Sequence, residues 1–274
     1  MEFRGPPMMA VWLILGAVAL VVLIGSLHAH RRKQQRAEAR RRPLTDAQRG
    51  ILRAHVPLFG QMPELLRPGL EGEIQVFLHE IAFEPCGGVE EVTETMRLVI
   101  ASQACLLLLE SGYPDFGKLR TVLIYPDAFV VKSEFEMESI RLGESWQTGS
   151  VVLSWQSVVQ GSRNPEDGLN IVLHEFAHQI DQVDGVADGL PILRRRGDYR
   201  DWAEAFGGSF DLLCERVNRG KRTVLDDYGA TNPAEFFAVA TETFFEKPKQ
   251  LKREHKEVYS QLQGFYGLDP HSWI

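Results

Sequence analysis

The sequence predicts an α+β protein, one domain of mixed helices and strands behind a single amino-terminal transmembrane helix. Three observations predict it. The chain opens with a twenty-residue uncharged run from Met8 to Leu27. Short β-branched and aromatic runs, the signature of strands, lie in the middle of the chain. Helix-start signals followed by apolar residues at helical spacing flank them on both sides.

A helix over Met8 to Leu27 (MMAVWLILGAVALVVLIGSL) is about 30 Å long, the thickness of a hydrocarbon core. A secretory signal peptide has a shorter apolar region and carries its positive charge in front. Here the charge follows: residues 31–42 hold seven Lys and Arg side chains against the single acid Glu38. Basic residues flanking a span stay in the cytoplasm, so the expectation is a single-pass membrane protein with its large domain cytoplasmic. The division is an anchor over 1–27, a basic juxtamembrane linker over 28–43 suited to anionic lipid head groups, and a domain over 44–274. Thr45 and Gln48 mark the boundary, because Ser or Thr followed three residues later by Gln or Glu forms a capping box.

Within the domain, helices are predicted near 46–56, 70–80 and 90–110. Thr121 to Tyr125, stopped by Pro126, reads as a strand, as do Phe129 to Phe135 and Val151 to Trp155. Asn164-Pro165 places a cap and a first-turn proline ahead of a helix running through His178. Further helices are predicted over 199–218 and from Asn232-Pro233 to about Glu246.

Composition excludes some functions. The whole chain of 274 residues carries a net charge of −7 although its linker is strongly basic. The domain is therefore acidic and would repel a phosphate backbone, which argues against nucleic acid as a partner. Cys86, Cys105 and Cys214 are widely spaced, with no C-x-x-C pair, and read as ordinary thiols.

The chemistry concentrates in His174-Glu175-Phe176-Ala177-His178. Helical residues four apart share a face, so both imidazoles can reach one ion while Glu175 stands on the neighbouring flank. A catalytic zinc site needs protein ligands plus one open position for water, and Glu175 is placed to move that water's proton. The surrounding residues are apolar, and burying two histidines and a glutamate without partners would be costly. A third ligand must come from elsewhere. Glu235 and Glu242 lie seven residues apart on one predicted helix face, and periodicity does not choose between them. Glu235 has a competing role as the third residue of a capping box behind Asn232. Asp181 follows on the metal face and is a candidate acceptor for the second N–H of a ligand imidazole.

The block L-N-I-V-L-H-E-F-A-H-Q-I-D (169–181), with D-x-Y (226–228), N-P-A-E-F-F-A-V (232–239), V-L-I-Y-P-D-A-F (122–129) and V-V-L-S-W (151–155), resembles the Mlc titration factor A family of zinc-dependent peptidases. The likeness runs from about residue 45 to the end. These are gluzincins, related to the catalytic domain of anthrax lethal factor. The resemblance implies a zincin-like metallopeptidase domain with one zinc ion held by His174, His178 and Glu235. It also implies Glu175 as base and then acid, and Tyr228 as hydrogen-bond donor to the oxyanion. Glu242 then joins Asp181 as a candidate behind the ligands. The resemblance further implies an aminopeptidase-like activity on peptide or protein substrates. Gly149, Ser150, Val151, Val152 and Leu153 become a sheet edge for an extended substrate, with an interior strand of the core as the alternative. A regulatory protein is implied as a further partner, and the competing function is sequestration of such a regulator with little or no cleavage.

Overall fold

In the computed structural model, residues 8–127, 129–131, 139–141, 143–146 and 149–273 are described. The elements follow in chain order as helices α1 (Met8–Arg40), α2 (Asp46–His55), α3 (Pro57–Gln61) and α4 (Arg67–Glu80), strand β1 (Ala82–Pro85), and helix α5 (Glu94–Leu106). Strands β2 (Thr121–Tyr125), β3 (Phe129–Val131), β4 (Ser139–Arg141), β5 (Gly143–Trp146) and β6 (Ser150–Ser154) come next. The rest is helical: α6 (Trp155–Arg163), α7 (Ile171–Asp181), α8 (Asp198–Asn218), α9 (Pro233–Glu246), α10 (Pro248–Glu254) and α11 (Lys256–Tyr266).

Two expectations are corrected by this architecture. The α+β balance gives way to a predominantly helical chain with a small sheet. None of the described strands exceeds five residues, and everything after β6 is helix, 3-10 turn or loop. The second correction concerns the membrane: among the described residues, no helix is long and apolar enough to cross one. The predicted transmembrane anchor, and with it the single-pass membrane location and the membrane as partner, is not supported. The apolar run is not an element of its own. It is the first part of a 33-residue helix that continues without a break through position 28 into the basic stretch.

The later turns of α1 dock on the domain by charge. Arg32 and Arg36 pair with Glu80 and Asp115, and Arg40 with Glu73, at 2.8–3.7 Å. The capping box at Thr45 and Gln48 forms in both directions at the start of α2. Positions 132–135 of the predicted second strand lie outside the described residues. Helices α10 and α11 were not anticipated.

The main sheet has the order β1-β2-β6-β5. β1, β2 and β6 run parallel, and β5 is antiparallel to β6. This overturns the reading of 149–153 as a sheet edge. β6 pairs with β2 on one side and β5 on the other, so both of its hydrogen-bonding edges are used, and among the described residues β1 and β5 are the outer strands. Gly149 has φ +95°, and a Cβ there would stand 2.5 Å from the carbonyl oxygen of Lys118. Its role is to turn the chain tightly into β6.

Helix α7 lies behind this sheet and is buried on every side, as expected of a helix apolar around most of its circumference. Phe176 packs against Phe116 and Phe77, with ring centroids 4.8 and 5.6 Å away. Helix α9 packs along α7 and is seated on a separate aromatic group. There, Phe236 and Phe237 meet Trp202 and Phe206 of α8, and Phe237 meets Phe265 of α11.

Candidate metal centre

Helix α7 starts at Ile171, not at Pro165 as predicted. Its cap is Asn170, whose Oδ1 accepts the main-chain N–H of Leu173 at 3.2 Å. Asn164-Pro165 instead closes a turn after α6. From this start, His174 and His178 fall on one face, and both are buried.

Helix α9 brings the third group. Asn232 caps it by accepting the N–H of Glu235 at 3.0 Å, and Pro233 fills the first turn, where a missing N–H costs nothing. The Glu235 side chain does not return to the cap. Its Oε2 lies 3.0 Å from His174 Nε2 and 3.2 Å from His178 Nε2, and the two Nε2 atoms are 3.2 Å apart.

These three atoms form a nearly equilateral triangle. Zinc bound at about 2.0–2.1 Å in a tetrahedron has ligand–ligand edges of about 3.3–3.4 Å, so the donor set fits a metal ion with one corner open. The chemistry agrees with the geometry. Two imidazole nitrogens at van der Waals distance, both facing a carboxylate oxygen, converge on one point and offer three lone pairs there once a metal displaces their protons. His174, His178 and Glu235 form the one group of this kind among the described residues.

Electrostatics follow from burial and proximity. Burial pushes the Glu235 carboxyl up, but its hydrogen bonds to both histidines outweigh this and hold it well below the usual carboxylate range. Burial lowers His174, whereas Glu242 and Glu235 raise it, and the carboxylates win. Burial raises Glu175 to about 7, with the histidines opposing.

Glu242 and Asp181 behave differently from each other. Glu242 Oε1 is 2.8 Å from His174 Nδ1, the nitrogen that faces away from the triangle, so the carboxylate fixes the ring's tautomer and orientation. Asp181 accepts the main-chain N–H of Gly189 at 2.9 Å, and its other oxygen is buried with no partner among the described residues. It ties down the loop after α7 rather than holding an imidazole. Tyr228 sits in a 3-10 turn over Asp227–Ala230, capped by Asp226. Its ring is half exposed and lies 5.9 Å from that of His174.

Gly189 joins the two ligand helices. Its φ is +76°, and a Cβ there would collide with the carbonyl oxygen of Pro233, in the first turn of α9. Gly189→Ala is expected to lose about 1–3 kcal/mol from the left-handed backbone alone. It should also push Glu235 away from the histidines, lowering metal affinity at least ~10-fold if the cost resembles that of a lost supporting contact. Denaturant unfolding and metal titration of the variant would check this, and wild-type values in both would refute the close approach.

Sequence reasoning missed Asn170, Gln103 and Glu246, which form a buried polar cluster behind His174. Asn170 carried a usable signal, a cap residue directly before the apolar I-V-L run. Asn164-Pro165 offered the stronger start pattern and masked it.

Comparison with known proteins points to a metallopeptidase family. The family model for the glucose-regulated metallopeptidase M90 matches residues 28–267. An uncharacterized protein of Synechocystis sp. is 38% identical over 268 residues, covering 93% of this chain and 97% of its own length. The Mlc titration factor A proteins of Cronobacter sakazakii and Pectobacterium atrosepticum are 30% and 33% identical over 226 and 190 residues. These alignments cover 78% and 65% of this chain, and 84% and 71% of theirs. With the match spanning nearly the whole domain, the chain belongs to the M90 metallopeptidase family, together with the Mlc titration factor A proteins.

Proposed function

We propose that this protein is a zinc-dependent peptidase whose catalytic unit is residues 44–274. The observation that carries the reading is the triangle of His174 Nε2, His178 Nε2 and Glu235 Oε2, with Glu175 on the same helix beside it. A zinc ion held there by these three residues would lower the pKa of a water toward 7.

The remaining work falls to the chain's own groups. Glu175 takes the proton of the attacking water and passes it to the leaving amine, a task suited to a carboxylate whose burial raises it to about 7. Tyr228 stands at the exposed side of the His174 ring and donates its phenolic hydrogen to the oxyanion that forms on the scissile carbonyl. β5, the outer strand beside β6 among the described residues and lying against α7, offers main-chain groups to an extended peptide, the role assigned from sequence to 149–153.

Digestion of a peptide library by the purified protein, with and without chelator, tests the reading. Clustered cuts that vanish on chelation are expected. Their distance from the peptide amino termini separates aminopeptidase-like trimming from internal cleavage. The names of the Mlc titration factor A relatives support a second reading, a domain that sequesters a regulatory protein. A library left intact by metal-loaded protein would favour it over the first.

A further inference from the structure

Behind the ligands lies a second polar assembly that capping alone does not require. Asn170 is 1% exposed, and every hydrogen-bonding group of its amide is used. Oδ1 caps α7, while Nδ2 donates to Gln103 Oε1 at 2.6 Å and to Glu246 Oε1 at 2.8 Å. Its main-chain N–H donates to Glu242 Oε2 at 2.5 Å, and the other oxygen of that carboxylate holds His174 Nδ1. Gln103 in turn donates to Ser162 Oγ at 2.9 Å and to the carbonyl of Val99 at 3.0 Å.

An unbroken path of hydrogen bonds therefore runs from a ligand imidazole on α7, through a carboxylate on α9, to Gln103 on α5. All five side chains, Gln103, Ser162, Asn170, Glu242 and Glu246, are buried. A helix cap needs only the oxygen of Asn170. Placing the other polar groups in an apolar core is unfavourable unless they are mutually satisfied.

Glu242 and Glu246 are four residues apart and one turn of α9 separates them, so the helix presents two carboxyls to Asn170. Glu242 faces the histidine. Glu246 has its second oxygen buried without a partner among the described residues, and burial raises it to about 8. Its Oε1 is the acceptor it offers to the Asn170 amide, one helical turn from the Glu242 carboxyl that the Asn170 main-chain N–H holds.

We propose that Asn170 and Glu246 form a positioning pair that holds the Glu242 carboxylate in the orientation that keeps His174 Nε2 directed at the metal. The proposal rests on the metal reading above. Glu246 and Gln103 hold the Asn170 side chain while its oxygen is tied to the first turn of α7, and these contacts together fix the position of the residue whose main-chain N–H grips Glu242. Without that acceptor the grip loosens and His174 gains freedom, even though no ligand has been altered.

The test compares Glu246→Gln with Glu246→Met in the full chain. The first keeps an acceptor where Oε1 stands, and the second keeps only the length of the side chain. Zinc affinity is measured by chelator competition, the site's geometry by the visible absorption of bound cobalt, and kcat and KM on a cleaved peptide. The Met variant is expected to lose about 10–100-fold in zinc affinity, shift its cobalt spectrum and fall in kcat more than it changes in KM. The Gln variant should stay close to wild type in all three. A Met variant with wild-type zinc affinity and spectrum overturns the proposal, as does a Gln variant equally impaired. If the Met variant does not fold, Asn170→Asp replaces it, keeping the cap oxygen and removing both amide donors, and wild-type affinity there is equally decisive against the pair. Wild-type protein that takes up no cobalt or zinc would instead sink the metal reading on which the pair depends.

Discussion

Glu175→Gln is expected to lose at least two orders of magnitude, ~100-fold or more, in peptide hydrolysis while keeping its metal. The side chain lies in the buried stretch between two ligands but belongs to the flank of α7, not to the face that carries the imidazoles. Its loss therefore leaves the triangle of ligand atoms intact. A glutamine fills the same volume and can hydrogen-bond water, but it cannot accept a proton, so the deficit should appear in kcat with little change in KM. Wild-type Glu175 is suited to the task because burial lifts it to about 7, where it can both take and release a proton near neutral pH. Zinc stoichiometry measured beside the kinetics makes the result decisive. An active, zinc-loaded glutamine variant would remove the assigned base.

The second large effect separates two glutamates that share a helix. Glu235→Ala deletes one corner of the donor triangle, leaving two histidines that cannot enclose an ion between them. It is expected to purify without stoichiometric metal. Glu242→Ala removes only the acceptor on His174 Nδ1, and should weaken binding by about 10–100-fold without abolishing it. Metal analysis after gel filtration, followed by chelator competition, would rank the two. If Glu242→Ala proved the more damaging, the assignment of ligand and supporting carboxylate would have to be exchanged.

That pair also shows where sequence reasoning ended. Helical spacing made His174, Glu175 and His178 legible, because four residues is a fixed angular distance on any helix. The same periodicity could not separate Glu235 from Glu242, and both do reach His174. They approach opposite nitrogens of one ring, which depends on how α9 crosses α7 and not on either helix alone. Tyr228 carried no local signal beyond its place next to Gly229, and only the resemblance singled it out.

Strand pairing was hidden for a related reason. The V-V-L run of β6 announced a buried strand, but nothing in it shows which neighbours pair with it, whereas the Gly-Glu-Ser-Trp of β5 lacks the β-branched residues that mark a strand. Asp181 had the right spacing to face the metal, yet the loop after α7 turns Gly189 back onto it. The acidity of the domain was legible from composition, and the start of α2 from its capping box. The small share of strand was not, because short buried strands and buried helical turns look alike over a few apolar residues.

The two aromatic groups beneath the site have a mechanical meaning. Phe77 and Phe116 seat the helix that carries both histidines, while Trp202, Phe206 and Phe265 seat the helix that carries Glu235. Both groups belong to one continuous core, and packed interiors resist deformation, so the centre is held from two sides. The spacing of the three ligand atoms is set by aromatic packing on both flanks, so a substitution in either group can change the cradle's width without replacing a single coordinating atom.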